Sequence, residues 1–191
     1  MQQDIERVLI SGERIARRVG ELAERITADH SPPRMPGDAQ ITLVPILTGA
    51  MIFAADLIRA IPLPMRINLV TVSSYPGQSI RSHGSQVLGR QLEHVRGRHV
   101  LLVDDILDSG GTLATVVPLL QEMGAETVRT CVLLRKRLPE PPRVEADYVG
   151  FEIPDAFVVG YGLDYDNLYR NLPDIVVLKP VVIRHPGTDA G

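Results

Sequence analysis

Ile5, Val8, Leu9, Ile15, Val19, Leu22 and Ile26 recur at helical spacing with Arg and Glu between them, and this pattern predicts an amphipathic helix over the first segment. Such a helix covers one face of a sheet. His30 to Asp38 holds three Pro and one Gly and reads as a connecting loop, with His30 expected in solvent. From Ile41 onward the pattern changes to short apolar runs separated by helical stretches. The runs are 41–47, 67–72, 100–103, 127–134, 157–160 and 175–178, dense in β-branched residues and without polar alternation. They predict strands covered on both faces, hence an α/β domain on a mainly parallel sheet. Helices are expected over 49–60 and 112–123, the second closed by Gly124 as a C-terminal cap. No repeat or linker divides the chain, so residues 1–191 are read as one domain.

Ser73 to Gly89, SSYPGQSIRSHGSQVLG, fits neither pattern. A Ser- and Gly-rich stretch of that length inside a compact domain is either disordered or a functional loop such as a lid, with His83 a solvated side chain rather than a catalytic base.

Composition narrows the function classes. With 191 residues, 45% hydrophobic and 23% charged, the chain is long enough to bury a sizeable core, and its formal net charge of −3 does not suit a dedicated nucleic-acid binder. Any phosphate must be held locally. The single Cys131 permits neither an intramolecular disulfide nor a zinc cluster and suggests a reducing compartment. The start, MQQDIERVLI, lacks an apolar core of signal-peptide length, and the apolar reach from Ile41 to Ile61 is broken by Pro45, Asp56 and Arg59. A cytoplasmic protein is expected, with no membrane and no nucleic-acid partner.

The segment richest in chemistry is VLLVDDILDSGGTL, Val100 to Leu113. Its polar residues fall just past the carboxyl end of a buried strand, where open parallel sheets bind ligands. Ser109 to Thr112 would offer consecutive backbone N–H groups at a helix N-terminus, which suits a phosphate, and the absence of Lys rules out a Walker A loop. Asp104, Asp105 and Asp108 beside an anion site would repel it unless they accept from a sugar diol or coordinate Mg²⁺. Asp108, separated from the pair by Ile106 and Leu107, is placed to act on a different atom. The plainer alternative makes Asp108 and Ser109 the N-cap of the next helix and leaves Asp104 and Asp105 in solvent.

This segment resembles the phosphoribosyl pyrophosphate loop of the type I phosphoribosyltransferases, the hypoxanthine-guanine branch in particular. The resemblance continues through LVPILTGAMIF, VTVSSY, LLRKR, VGFEIPDAFVVGYGLDYDNLYRNLP and IVVLKP, so it spans about Ile41 to Lys179. It implies a twisted, mainly parallel sheet flanked by helices, with a small hood built from terminal segments. It places Asp104 and Asp105 on the ribose hydroxyls, directly or through Mg²⁺, and Asp164 near the metal and the base. Asp108 matches the general base that handles the proton of the purine ring nitrogen being glycosylated. Ser109, Gly110, Gly111 and Thr112 match the 5′-phosphate cradle, and Arg170 a pyrophosphate contact. Lys136, one of only two lysines, falls on the position that donates to the purine 6-oxo group, which favours a carbonyl over the amine of adenine. Phe157 stacks on the base and Val158 reads its edge through backbone groups. Ser74 and Tyr75 begin the mobile cover that keeps water from an oxocarbenium-like transition state. Leu47-Thr48-Gly49 corresponds to the pyrophosphate loop, where relatives often carry Lys or Arg instead of Thr48 and where a cis peptide is known.

The reaction so implied is purine salvage: Mg²⁺-bound phosphoribosyl pyrophosphate plus hypoxanthine or guanine gives IMP or GMP and pyrophosphate, in a homodimer or homotetramer. A pyrimidine or xanthine transferase with the same ribose-phosphate loop is the first rival, with Lys136, Phe157 and Asp164 against pyrimidines but nothing separating xanthine. A non-catalytic regulator of RNA or DNA is the second, lacking the basic surface it would need.

Overall fold

The computed structural model describes residues 1–30, 41–73, 86–92 and 95–183. Its main sheet has seven strands: β2 (Ile41–Leu47), β3 (Met65–Ile67), β4 (Leu69–Ser73), β5 (Gln86–Gln91), β6 (His99–Leu107), β7 (Thr127–Arg137) and β8 (Tyr148–Pro154). The order is β5-β4-β2-β6-β7-β8, with β3 also paired to β2. Every pairing is parallel except β4 with β5. Strand β6 therefore lies inside the sheet, and alternate residues feed two cores. Leu101 and Val103 pack with Ile15, Val19, Leu22 and Ile26 of α1 (Gly12–His30) and with Phe53 and Leu57 of α2 (Met51–Ala60). Val100 and Leu102 pack with Leu113, Val116 and Leu120 of α3 (Gly111–Glu122). Burying each such side chain is worth roughly 1.5–3 kcal/mol, so this three-layer arrangement holds the carboxyl end of β6 rigidly.

A second, antiparallel sheet of three strands forms the hood: β1 (Ile5–Ile10), β10 (Ile175–Leu178) and β9 (Val158–Val159), in the order β1-β10-β9. The hood is therefore assembled from both ends of the chain.

Several elements differ from expectation. Ile5–Ile10 is a strand, because its backbone pairs with β10, and the helix starts only at Gly12, whose N–H donates to Asp174 Oδ1 at 2.7 Å. The run 67–72 divides at Asn68, where the partner of β2 changes from β3, with Leu43 opposite Ile67, to β4, with Ile46 opposite Val70. Strand β6 continues through the acidic pair and β7 through Lys136, since ladder bonds, not hydrophobicity, carry them on. Strand β8 was not anticipated, and only Val158–Val159 of the run 157–160 is strand. Part of the Ser-rich stretch is strand β5, while Ser74, Tyr75 and His83 lie outside the described residues. His30 is half-buried, its Nδ1 2.8 Å from the Ile26 carbonyl, and burial lowers its pKa. Gly124 follows the last turn of α3 with φ +89°, as its capping role requires. Among the described residues no helix is long and apolar enough to cross a membrane.

Candidate active site

Strand β6 ends at Leu107 and α3 begins at Gly111, so three residues turn the chain. Gly110 is the N-cap, at φ +78°, and no side chain caps the helix. The capping alternative for Asp108 and Ser109 therefore fails: the Asp108 carboxylate is engaged elsewhere, 2.9 Å from Lys136 Nζ. An uncapped helix N-terminus leaves its first N–H groups seeking an acceptor, with the helix dipole favouring an anion. These groups border a cavity of about 730 Å³ lined by Ser109, Gly110, Gly111, Thr112 and Leu113 together with Thr48, Gly49, Asp104, Asp105, Asp108, Asp164 and Arg170.

The turn is strapped from behind. Arg143 N–H, in the β7–β8 connection, donates to the Ser109 carbonyl at 3.0 Å. A Cβ on Gly110 would lie 3.1 Å from the backbone nitrogens of both Arg143 and Val144. Gly110→Ala is therefore expected to cost about 1–2 kcal/mol of left-handed strain. Chemical denaturation checks this; an unchanged midpoint would refute this account of the turn.

Asp104 and Asp105 are adjacent at the cavity floor. Asp104 is buried, accepting from Asp105 N–H at 3.1 Å, and Asp105 Oδ1 accepts from Ile106 N–H at 2.9 Å. Burial, and then the charge of Asp105, push the Asp104 pKa well above the usual aspartate range; burial raises Asp105 as well. A buried carboxyl beside a half-buried one, both resisting ionisation, suits a divalent cation or a pair of hydroxyls. Among the described residues no group of three or more His, Cys, Asp or Glu side chains is placed to hold a metal ion. Asp104, Asp105 and Asp164 line one cavity without forming a ready cluster, so the donor set fits a cation that arrives with ligand oxygens of its own.

Backbone packs on backbone at the next corner. The Leu47–Thr48 peptide is cis and Thr48 is exposed. A Cβ on Gly49 would fall 1.9 Å from Asp105 Oδ2, and one on Gly162, at φ +104°, would fall 2.3 Å from the Gly49 carbonyl. Gly162 lets the hood backbone stack on the 47–49 loop, and Gly49 leaves room for the Asp105 carboxylate where it stands. Arg170 fixes the hood side, donating to the Gly162 carbonyl at 2.7 Å and pairing with Asp164 Oδ1 at 2.8 Å, while Asn167 N–H donates to Asp164 Oδ2. Tyr161 O–H, which donates to Asp56 Oδ2 at 2.5 Å, ties the hood to α2.

A second cavity, of about 240 Å³, is lined by Lys136, Ala156, Phe157, Val158 and Leu163, and shares Asp105, Ile106, Asp108 and Asp164 with the first. Lys136, at the end of β7, is only 15% exposed, and its Nζ lies 2.9 Å from Asp108 Oδ2 and 3.1 Å from Asp155 Oδ1. Burial works against its charge, yet the hydrogen bonds to the two carboxylates outweigh it and raise the pKa. Tyr148 and Tyr161 are buried in the core, whereas Phe157 is 46% exposed and meets Tyr165 edge-on at 5.7 Å, leaving ring surface for a flat ligand. The structure thus gathers every site residue anticipated from sequence except Ser74 and Tyr75, which lie outside the described residues. It adds Asp155, which falls within the recognised segment beginning at Val149 but has no role assigned from sequence.

Residues 9–166 match the family described as "Phosphoribosyl transferase domain". The chain is 41% identical over 182 residues to the hypoxanthine-guanine phosphoribosyltransferase of Bacillus subtilis, covering 95% of this chain and 98% of that protein. A crystal structure of a hypoxanthine phosphoribosyltransferase from Staphylococcus aureus superposes with a TM-score of 0.87 at 37% identity, covering 97% of each chain. A hypoxanthine phosphoribosyl transferase of Trypanosoma cruzi, studied for the role of its C-terminal region in oligomeric state and enzymatic activity, gives 0.86 at 38% identity over 94% of each.

Proposed function

Because the chain belongs to the phosphoribosyltransferase family, we propose that its two joined cavities are the substrate halves of one transfer site in a single domain. The protein is a purine-salvage transferase: it moves the 5-phosphoribosyl group from phosphoribosyl pyrophosphate to hypoxanthine or guanine, giving IMP or GMP and pyrophosphate. The observation that carries the site assignment is the shared wall, where Asp105, Ile106, Asp108 and Asp164 line both cavities. A sugar carbon at this junction is within reach of a base on one side and a leaving group on the other.

In this reading the 5′-phosphate sits on the N–H groups of Ser109 to Thr112 and the ribose hydroxyls donate to Asp104 and Asp105. Arg170 and the 47–49 backbone hold the pyrophosphate. Phe157 stacks on the purine, the Val158 backbone reads its edge, and Lys136 donates to the 6-oxo group. As the ring nitrogen bonds to the anomeric carbon and the carbon–pyrophosphate bond breaks, Asp108 accepts the proton the purine ring loses. Fixed geometry and charge complementarity supply most of the acceleration. Mg²⁺, on Asp104, Asp105 and Asp164 with substrate oxygens, would neutralise charge on the leaving group. Ser74 and Tyr75 belong to the cover over this centre. The protein works in the cytoplasm as a homodimer or homotetramer.

Pyrophosphate release from the activated sugar, measured with hypoxanthine, guanine, xanthine, adenine and uracil, with and without Mg²⁺, tests the reading. Turnover is expected with hypoxanthine or guanine, far less with adenine, and is lost on chelation. Turnover with uracil alone, or equal turnover after chelation, would overturn it.

A further inference from the structure

Asp155 lies outside the lining of the base pocket, on the turn after β8, yet its Oδ1 reaches Lys136 Nζ at 3.1 Å. The register places it there. Lys136 pairs with Ile153 across the β7–β8 ladder, and Asp155 is two residues further on, immediately before the segment that carries Phe157 and Val158. An ammonium has three donors, and two are directed at Asp108 and Asp155. A purine that engages Asp108 removes one of those partners. Lysine is a point charge on a flexible four-carbon stem, so an ammonium released by Asp108 without a second anchor would follow it or swing to solvent. The neighbouring arginines do not compete for Asp155: Arg135 pairs with Glu145 and Glu152, and Arg137 with Glu152.

Resting on the site assignment above, we infer that Asp155 is a positioning residue for base recognition. It holds the Lys136 ammonium against the pocket once Asp108 turns to the purine, leaving a donor directed to the 6-oxo group. It touches no substrate atom and acts through Lys136, and it also joins the end of β7 to the segment bearing the stacking ring. Its carboxylate is 64% exposed, so its contribution is that of a screened ion pair and is confined to the base.

Steady-state kinetics of Asp155→Asn and Asp155→Glu beside the unaltered protein test this, varying hypoxanthine at saturating phosphoribosyl pyrophosphate and the reverse. The Asn variant is expected to raise KM for hypoxanthine about three- to fivefold, the scale of one exposed ion pair. KM for phosphoribosyl pyrophosphate and kcat stay within about twofold, and Glu restores most of the loss. An unchanged KM for hypoxanthine, a parallel rise in both KM values, or a Glu variant as impaired as Asn would overturn the inference while leaving the transferase reading intact. Absence of hypoxanthine turnover by the unaltered protein would overturn both.

Discussion

Asp108→Asn is expected to lower kcat by about 10²–10⁴-fold, equivalent to roughly 3–5 kcal/mol of barrier, while the Kd for the nucleotide product changes by less than about threefold. The amide keeps the shape of the carboxylate, and its oxygen still accepts from Lys136 Nζ, now 2.9 Å from Asp108 Oδ2, so the pocket holds its form. What disappears is the capacity to take a proton. The competing effect, loss of an ion pair whose Asp108 side chain is 52% exposed, is worth at most about 1 kcal/mol and falls on the base rather than on turnover. The product has already surrendered its proton and asks nothing basic of position 108. Turnover at saturating substrates, with calorimetric titration of the nucleotide, separates these effects. An unchanged kcat would falsify the proton-accepting role; equal losses in kcat and product affinity would make Asp108 a binding residue instead.

The second large effect has opposite signs on stability and activity. Asp104→Asn is expected to raise the Tm of the ligand-free protein by several degrees at neutral pH and to abolish most turnover. Asp104 is 6% exposed beside the half-buried Asp105 carboxyl, and its pKa is raised by burial and by Asp105. A carboxyl whose folded pKa lies above its unfolded value binds its proton more tightly in the folded state. Its stabilisation is complete in acid and is lost as pH climbs from about 4 through the raised folded value. Asn removes that slope and keeps an oxygen for the Asp105 N–H. Relief of about 1–3 kcal/mol, at roughly 2–4 °C per kcal/mol in a chain of this size, gives the expected rise. Scanning calorimetry from pH 5 to 8, metal-free, should show the unaltered protein losing Tm with pH more steeply than the variant, in which only Asp105 keeps a raised pKa; a variant less stable at pH 8 would refute the cost assigned to the pair.

Most of the parallel sheet was legible because its strands are apolar on both faces, and the turn at 108–110 because SGGT follows a buried strand and opens a helix. The failures share a cause. Ile5, Val8, Leu9 and Ile10 satisfy a helical period as well as a strand, and only pairing with residues 175–178 decides between them. Asp104 and Asp105 continue β6 by backbone hydrogen bonds that hydropathy does not report. Tyr148 to Pro154, with a glycine at 150 and an acid at 152, offers no clean alternation, yet Gly150 is required where a Cβ would lie 2.4 Å from the Leu133 carbonyl. Asp155 escaped because its partner is 19 residues away on a neighbouring strand. Recognition of the family carried Arg170, Phe157 and Val158, whose types alone have no distinguishing pattern.

The order of assembly during synthesis follows from the hood. Ile5 is paired with Leu178 and Val8 with Val176, while the middle strand of that sheet is also the partner of Val158–Val159. A chain emerging at about 5–20 residues per second therefore exposes its first strand long before that strand has anything to bind. The helix–sheet body, whose successive parallel strands find each other over shorter spans, consolidates meanwhile. The flank bearing Phe157 and Val158 is closed last, by the arrival of residues 175–178, so a truncated nascent chain has a formed β6–α3 turn and an unfinished second cavity.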